Sequence, residues 1–186
     1  GIVADTFVPD LVIEDHFIPE LKCLRGNFSG EHLLQLFCYC KLWRIRTGLL
    51  LDFGKQSLIW KRYVYDSHRA QLSTEAPRSN AADTALAARV VTSINQCLAE
   101  IGLGYRETTW CGLVIAALRS SGLNAESSPQ AQVLRHPAIS FPCIVVEDTC
   151  AIMVTALHDR ISTADRAVLQ THLRWLKLGW GIVIHF

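Results

Sequence analysis

Pro9-Asp10-Leu11-Val12-Ile13-Glu14-Asp15-His16-Phe17-Ile18-Pro19-Glu20-Leu21-Lys22 is the stretch that sets the architecture expected for the whole chain. Two short β-prone runs, Leu11-Val12-Ile13 and Phe17 to Lys22, are joined by a polar bend, which predicts a β-hairpin over residues 1–24. The two-residue period of a strand puts Glu20 and Lys22 on one face and turns Leu21 the other way, into a core. With Asp10 ending the first strand beside that face, two carboxylates and one ammonium converge at the hairpin's open end. Two carboxylates at close range raise each other's pKa and invite a divalent cation, and a nearby lysine tempers the repulsion. The outline is a hydrolytic metal site. The competing reading is an ordinary hairpin whose charges sit in water.

Composition bounds the alternatives without choosing among them. At 186 residues the chain holds one medium domain or two small ones. Half of it is hydrophobic and 19% charged, the balance of a globular protein. A net charge of +1 gives no broad electrostatic attraction to nucleic acid, so any such contact must be local. Seven cysteines fall in apolar runs, with no Cys-x-x-Cys pair and no zinc-like spacing, and read as reduced core residues of an intracellular protein. No leader pattern opens the chain and no apolar run has membrane-spanning length, so a soluble, cytoplasmic protein with no membrane partner is expected.

After the hairpin, Leu33, Leu36, Phe37, Cys40 and Trp43 recur at helical spacing behind the polar start Ser29-Gly30-Glu31-His32. Thr47-Gly48 is expected to stop that helix, with Leu49–Phe53 a buried strand and Leu58–Tyr65 a last one. Residues 67–83 read as a polar linker. Helices are predicted over Thr84–Glu100 and Arg106–Ser120, a polar strand over Asn124–Val133, and apolar strands over Ile139–Val146 and Ala151–Leu157. A helix over Thr163–Leu178 and a strand over Gly181–Phe186 complete the chain.

Sliding the chain by 133 positions lays residues 9–53 over 142–186 without a gap. Pro9, Val12, Glu14, Asp15, Leu24, Ser29, Leu36, Gly48 and Phe53 fall on identical residues, and the hydrophobic pattern is kept almost throughout. The expectation is a duplication. Asp10 becomes Cys143, Glu20 becomes Met153 and Lys22 becomes Thr155, side chains unsuited to a hard cation. The second copy is then a pseudo-site on a preserved scaffold.

The spelling Pro9-Asp10, then Glu20-Leu21-Lys22, resembles the signature of the PD-(D/E)XK nuclease superfamily, which hydrolyses phosphodiesters with magnesium. Within it the chain looks like the GxxExxY proteins. Ile101-Gly102-Leu103-Gly104-Tyr105-Arg106-Glu107-Thr108-Thr109-Trp110 is similar to that group's opening-helix motif, with Trp110 in place of tyrosine. His32, Gln35 and Tyr39 resemble its later helix pattern. Gly48–Gly54 and Lys61-Arg62 resemble its following strands.

The resemblance implies an α/β fold: a restriction-endonuclease-like αβββαβ sheet flanked by helices, duplicated, with the first copy lacking its opening helix. Residues 1–66 would be a partial unit with the candidate site, and 84–186 a unit whose catalytic motif is erased. Asp10, Glu20 and the Leu21 carbonyl would hold Mg2+ or Mn2+, with Glu107 either a further ligand supplied within the chain or across a dimer or a vestigial, structural glutamate of the second copy. Lys22 would orient or deprotonate the attacking water or stabilise developing negative charge, and Gln35 would position water or substrate or else cap or bridge within the core. His32 either touches phosphate or is an ordinary helix-start histidine. Lys41, Arg44, Arg46, Lys61 and Arg62 form a phosphate-facing rim or a solvated face. The partner is nucleic acid, DNA ahead of RNA, with the two copies packed as a pseudo-dimer and a homodimer also open. Pro19 inside a strand implies an edge or bulge. The rival to an enzyme is an inactive pseudonuclease that binds nucleic acid or serves in an assembly.

Overall fold

A computed structural model describes residues 6–65, 72, 81–132, 137–156 and 161–186. Two compact units emerge, one of Asp5–His68 with Leu103–Arg106, the other of Arg69–Gly102 and Glu107–Phe186. The expected linker at 67–83 lies mostly outside the described residues. No helix among the described residues is long and apolar enough to cross a membrane.

The amino-terminal unit contains β1 (Phe17–Lys22), α1 (Gly30–Trp43), β2 (Thr47–Asp52) and β3 (Ile59–Val64). β1 and β2 are parallel, β3 is antiparallel to β2, and the sheet order is β1-β2-β3. Parallel neighbours need a crossover, and α1 supplies it. Ser29 caps α1 in a capping box with His32, and Arg44 ends the helix in the left-handed conformation at φ 57°. Ile18 and Leu50 from the sheet meet Leu36, Tyr39 and Cys40 from α1, with Ile45, in the core.

Three expectations change here. The hairpin does not form: among the described residues, Leu11–Ile13 makes only the bridge from Ile13 to Phe17, around Glu14 and Asp15 at φ 49° and 55°. The free edge of β1 explains why. Lys22 points its backbone toward β2, since its carbonyl accepts the Phe53 N–H at 2.8 Å. Strand alternation therefore aims the backbone of Leu21 and Pro19 outward. The Leu21 N–H is taken by the Asp10 carboxylate, and Pro19 has no N–H to offer a ladder. The helix also ends before Thr47, and Gly48 lies inside β2. A Cβ there would sit 2.6 Å from Leu36 Cγ, so the missing side chain lets α1 approach the sheet. Finally, the buried face of α1 includes Cys38 and Tyr39, while Trp43 is 39% exposed.

The carboxy-terminal unit opens with α2 (Ala81–Ile101) and α3 (Glu107–Ser120), followed by β4 (Ala125–Ser127), β5 (Gln130–Ala131), β6 (Ile139–Ser140), β7 (Ile144–Val146), β8 (Cys150–Thr155), α4 (Thr163–Leu176) and β9 (Trp180–His185). The strands expected at 124–133 and 139–146 are each split in two. The outer pieces β5 and β6 form a separate ribbon, and β4-β7-β8-β9 make the sheet. From α3 through β4, β7, β8 and α4 to β9 the elements run in the αβββαβ order. α3 covers one sheet face, with Trp110 fully buried and stacked on Phe186 at 3.6 Å.

The internal geometry of β1–α1–β2 recurs in β8–α4–β9. Phe17 pairs with Thr47 and Lys22 with Asp52; Cys150 pairs with Trp180 and Thr155 with His185. Each pairing is displaced by 133 positions, as are the bounds of α1 and α4, their serine caps and their left-handed ends at φ 57°. Glu147 and Asp148 repeat the bend of Glu14 and Asp15, at φ 51° and 54°. Gly181 again faces a leucine, with a Cβ position 3.0 Å from Leu169 Cδ1.

The close approach at Gly48 yields a stability prediction. Leu36 is fully buried and has little room to yield, so Gly48→Ala is expected to cost about 1–3 kcal/mol as overpacking. Urea denaturation of both proteins measures it.

Candidate active site

The site lies where the edge strand β1 passes beneath α1. Strand alternation places Ile18, Glu20 and Lys22 toward α1. Gln35 and Tyr39 share a helix face, because residues four apart lie one turn above each other. Lys22 Nζ donates to Glu20 Oε1 at 2.6 Å and to Gln35 Oε1 at 3.1 Å. Gln35 Nε2 in turn donates to the Tyr39 hydroxyl at 2.7 Å. Asp10 is held beside this network by its 2.8 Å bond from the Leu21 N–H. The structure thus brings together Asp10, Glu20, Leu21, Lys22 and Gln35.

The electrostatics are uneven. Glu20 is 2% exposed, whereas Asp10 is exposed. Burial pushes the Glu20 carboxyl above its ordinary value, Lys22 opposes that shift, and the Asp10 charge adds to it. One oxygen of Glu20 faces Lys22; the other, Oε2, is buried with no hydrogen-bond partner among the described residues. Such an atom calls for a positive partner. Tyr39, nearly buried, is also shifted upward, first by burial and further by the Glu20 charge.

The donor set suits a hard divalent cation. Asp10 and Glu20 offer carboxylates, and the Leu21 carbonyl points out of the same free edge as its N–H, toward Asp10. Among the described residues no three His, Cys, Asp or Glu side chains gather. Two carboxylates with further oxygens from backbone, water and phosphate match the habit of magnesium, which is seldom caged by protein alone.

Other sequence expectations fall differently. The Leu21 side chain does face away from Glu20 and Lys22, but it is 39% exposed and not in a core. His32 is a helix cap, accepting from the Ser29 N–H at 3.0 Å. Lys41 lies over the ring of Tyr105 at 4.1 Å and that of Tyr65 at 5.4 Å, so it leaves the proposed phosphate rim. Burial lowers its pKa to about 8. Arg44 is the exposed helix cap, and Lys61 and Arg62 are exposed on β3. Glu107 opens α3 in the carboxy-terminal unit. Cys23, expected in a core, is exposed.

Tyr39, named only as part of the helix pattern, closes the hydrogen-bonded chain from Glu20, and its spacing from Gln35 was the available signal for that role; Asp52 was missed. Asp52 is nearly buried and accepts from the backbone of Leu24 and Gly54, both at 2.9 Å, with Lys55 at 3.1 Å. The two backbone bonds lower its pKa and pin the chain where it leaves β1. No pattern of spacing marks that role.

In the carboxy-terminal unit, 133 positions on, the polar network has no counterpart. Cys143 and Met153 join Phe141, Ala151 and Leu169 in an apolar cluster. Val168 and His172 stand where Gln35 and Tyr39 would be, and His172 is buried against the Phe141 ring. The Thr155 hydroxyl donates to the Ile184 carbonyl at 3.4 Å.

Glu20 ties stability to pH. Its raised pKa means the fold favours the protonated form, so its contribution is present below the ordinary value of 4.5 and lost as pH rises through the shifted value. In chelator-treated buffer, Glu20→Gln is expected to gain stability relative to the parent as pH rises from about 4 to 7, with the difference vanishing at the acid end. Thermal melts across that range test the sign; a relative gain by the parent would contradict it.

Neither a curated protein nor a solved structure matches the chain. The family model of the PD-(D/E)XK nuclease superfamily matches residues 1–63, the segment that carries Asp10, Glu20, Lys22 and Gln35. The amino-terminal third of this chain is therefore similar in sequence to the PD-(D/E)XK nuclease superfamily.

Proposed function

We propose that the amino-terminal unit is a divalent-metal-dependent nuclease that hydrolyses phosphodiester bonds, DNA ahead of RNA, and that the carboxy-terminal unit is its degenerate copy. The observation carrying this reading is the buried, unpartnered Oε2 of Glu20 beside Asp10, with Lys22 fixed against the other oxygen. An apolar scaffold gains nothing from such a group, whereas a cation-binding site needs it. The identical strand registers of the two units support the duplication, and the loss of charged oxygens at Cys143 and Met153 supports a single live site.

Asp10, Glu20 and the Leu21 carbonyl hold Mg2+ or Mn2+. When bound, the cation neutralises phosphate charge and makes water more acidic. Lys22 keeps its ammonium at the same spot through Glu20 and Gln35, ready to stabilise negative charge developing on the phosphate. Gln35 is oriented at both ends, by Lys22 and Tyr39, so it presents a fixed amide to water or substrate. The rigidity of this chain of bonds supplies positioning before substrate arrives.

The test joins binding to cleavage. Magnesium or manganese is expected to raise the melting temperature of the parent, with the rise lost in Asp10→Asn and Glu20→Gln. Incubation with single-stranded, duplex and branched DNA and RNA is expected to give metal-dependent products, reduced at least about 100-fold in Lys22→Ala. Equal metal binding by parent and carboxylate variants would favour the second reading, a pseudonuclease that binds nucleic acid or serves in an assembly. Glu107→Gln belongs to the same series: unchanged metal affinity and cleavage remove that residue from the ligand set.

A further inference from the structure

The carboxy-terminal counterpart of the acidic site has exchanged hard donors for soft ones. At an offset of 133 positions Asp10, Glu20 and Tyr39 become Cys143, Met153 and His172. A thiol, a thioether and an imidazole stand in place of two carboxylates and a phenol. All three are enclosed: Cys143 is 5% exposed, Met153 6% and His172 6%.

The fold gathers these side chains beneath α4. The last pair of the β7–β8 ladder is Ile144 with Ile152, so one step further Cys143 stands opposite Met153. Strand alternation turns both away from the side of Ile144 and Ile152, and both pack with Leu169 of α4 in one cluster. His172 shares that face of the helix, between Leu169 and Leu173, which also packs on the cluster. Its ring meets that of Phe141, two residues before Cys143, at 5.4 Å between centroids. The amino-terminal unit shows the same convergence: Tyr39, at the position of His172, is near enough to Glu20 and Asp10 for both charges to raise its pKa.

One polar atom in this layer is left without a role. His172 Nδ1 is buried with no hydrogen-bond partner among the described residues. Such an atom among apolar groups is costly, and a phenylalanine would fill the place without that cost. Burial also lowers the pKa of the imidazole, so the ring is neutral at pH 7 and has a lone pair to give.

We propose that Cys143, Met153 and His172 form a binding site for a soft monovalent cation, Cu(I). Thiolate, thioether and imidazole are donors that copper takes, whereas zinc sites draw on thiolate, imidazole and carboxylate and do not recruit a thioether. The apolar layer lacks the charged oxygens and waters that a hard cation requires. Burial pushes the Cys143 thiol up to about 11, so the cation displaces its proton to solvent as the copper–sulfur bond forms. This site is independent of the nuclease reading, which concerns oxygen donors in the other unit.

The whole chain, reduced and under nitrogen, is titrated with Cu(I) in competition with bicinchoninate, a chromophoric chelator of that ion. One equivalent is expected to be withdrawn from the chelator, with sulfur and nitrogen neighbours in X-ray absorption at the copper edge. Cys143→Ala and His172→Phe are each expected to weaken binding at least about 100-fold, and Met153→Leu about tenfold. Leucine conserves the volume of Met153, so that variant reads the thioether in a folded protein, and circular dichroism melts check folding throughout. Cys23→Ser, at the exposed cysteine, is expected to leave the affinity unchanged. No withdrawal of copper, full affinity in Met153→Leu or His172→Phe, or loss of binding in Cys23→Ser overturns the proposal.

Discussion

The contact between Gly48 and Leu36 governs the rest of the amino-terminal unit. A helix crossing between parallel strands can pack at several heights, and here a residue without a side chain lets Leu36 settle directly on β2. That distance brings Gln35, itself bonded to Tyr39 on the same helix, within hydrogen-bonding reach of Lys22 on the neighbouring strand. A larger residue at that point would lift the helix and leave Lys22 and Glu20 as a pair without its orienting amide. The chemistry of the site is therefore set one strand away from the carboxylates that carry it.

Glu20 illustrates how such a site stores a disadvantage. A carboxylate without water around it, with one oxygen satisfied by Lys22 and the other unsatisfied, is costly to keep charged. Proteins seldom retain that arrangement for structure alone, because a medium-sized apolar residue fills the same space without the cost. The carboxy-terminal unit makes the comparison internally. Met153 occupies the corresponding strand position among apolar neighbours, and the strand register around it is unchanged. Cys143, Met153 and Val168 stand 133 positions from Asp10, Glu20 and Gln35 and give that unit no comparable polar cluster.

Much of this was legible in the sequence, for identifiable reasons. Period-two alternation put Glu20 and Lys22 together, and the offset of 133 positions carried through to matching helix caps and bends. Those features depend on local rules of spacing and capping. The first strand of the hairpin was misread because hydrophobicity in Leu11–Ile13 says nothing about whether the neighbouring edge has donors free. Leu21 was misread because alternation tells which way a side chain points and not what lies there. Asp52 and Lys41 escaped notice or were misassigned for a related reason: their distant partners, Leu24 in one case and Tyr65 and Tyr105 in the other, are brought close only by the fold.

Pro19 has a consequence beyond geometry. An outermost strand with a full row of amide hydrogens is a template on which any extended chain can lengthen the sheet, and stacked copies of such edges are a route to insoluble aggregates. A ring in place of one hydrogen, followed by an amide already claimed by Asp10, breaks that row twice in succession. The border of the sheet that exposes the carboxylates is thus shielded from being zipped shut by a stray polypeptide, which leaves it open to a different kind of polymer.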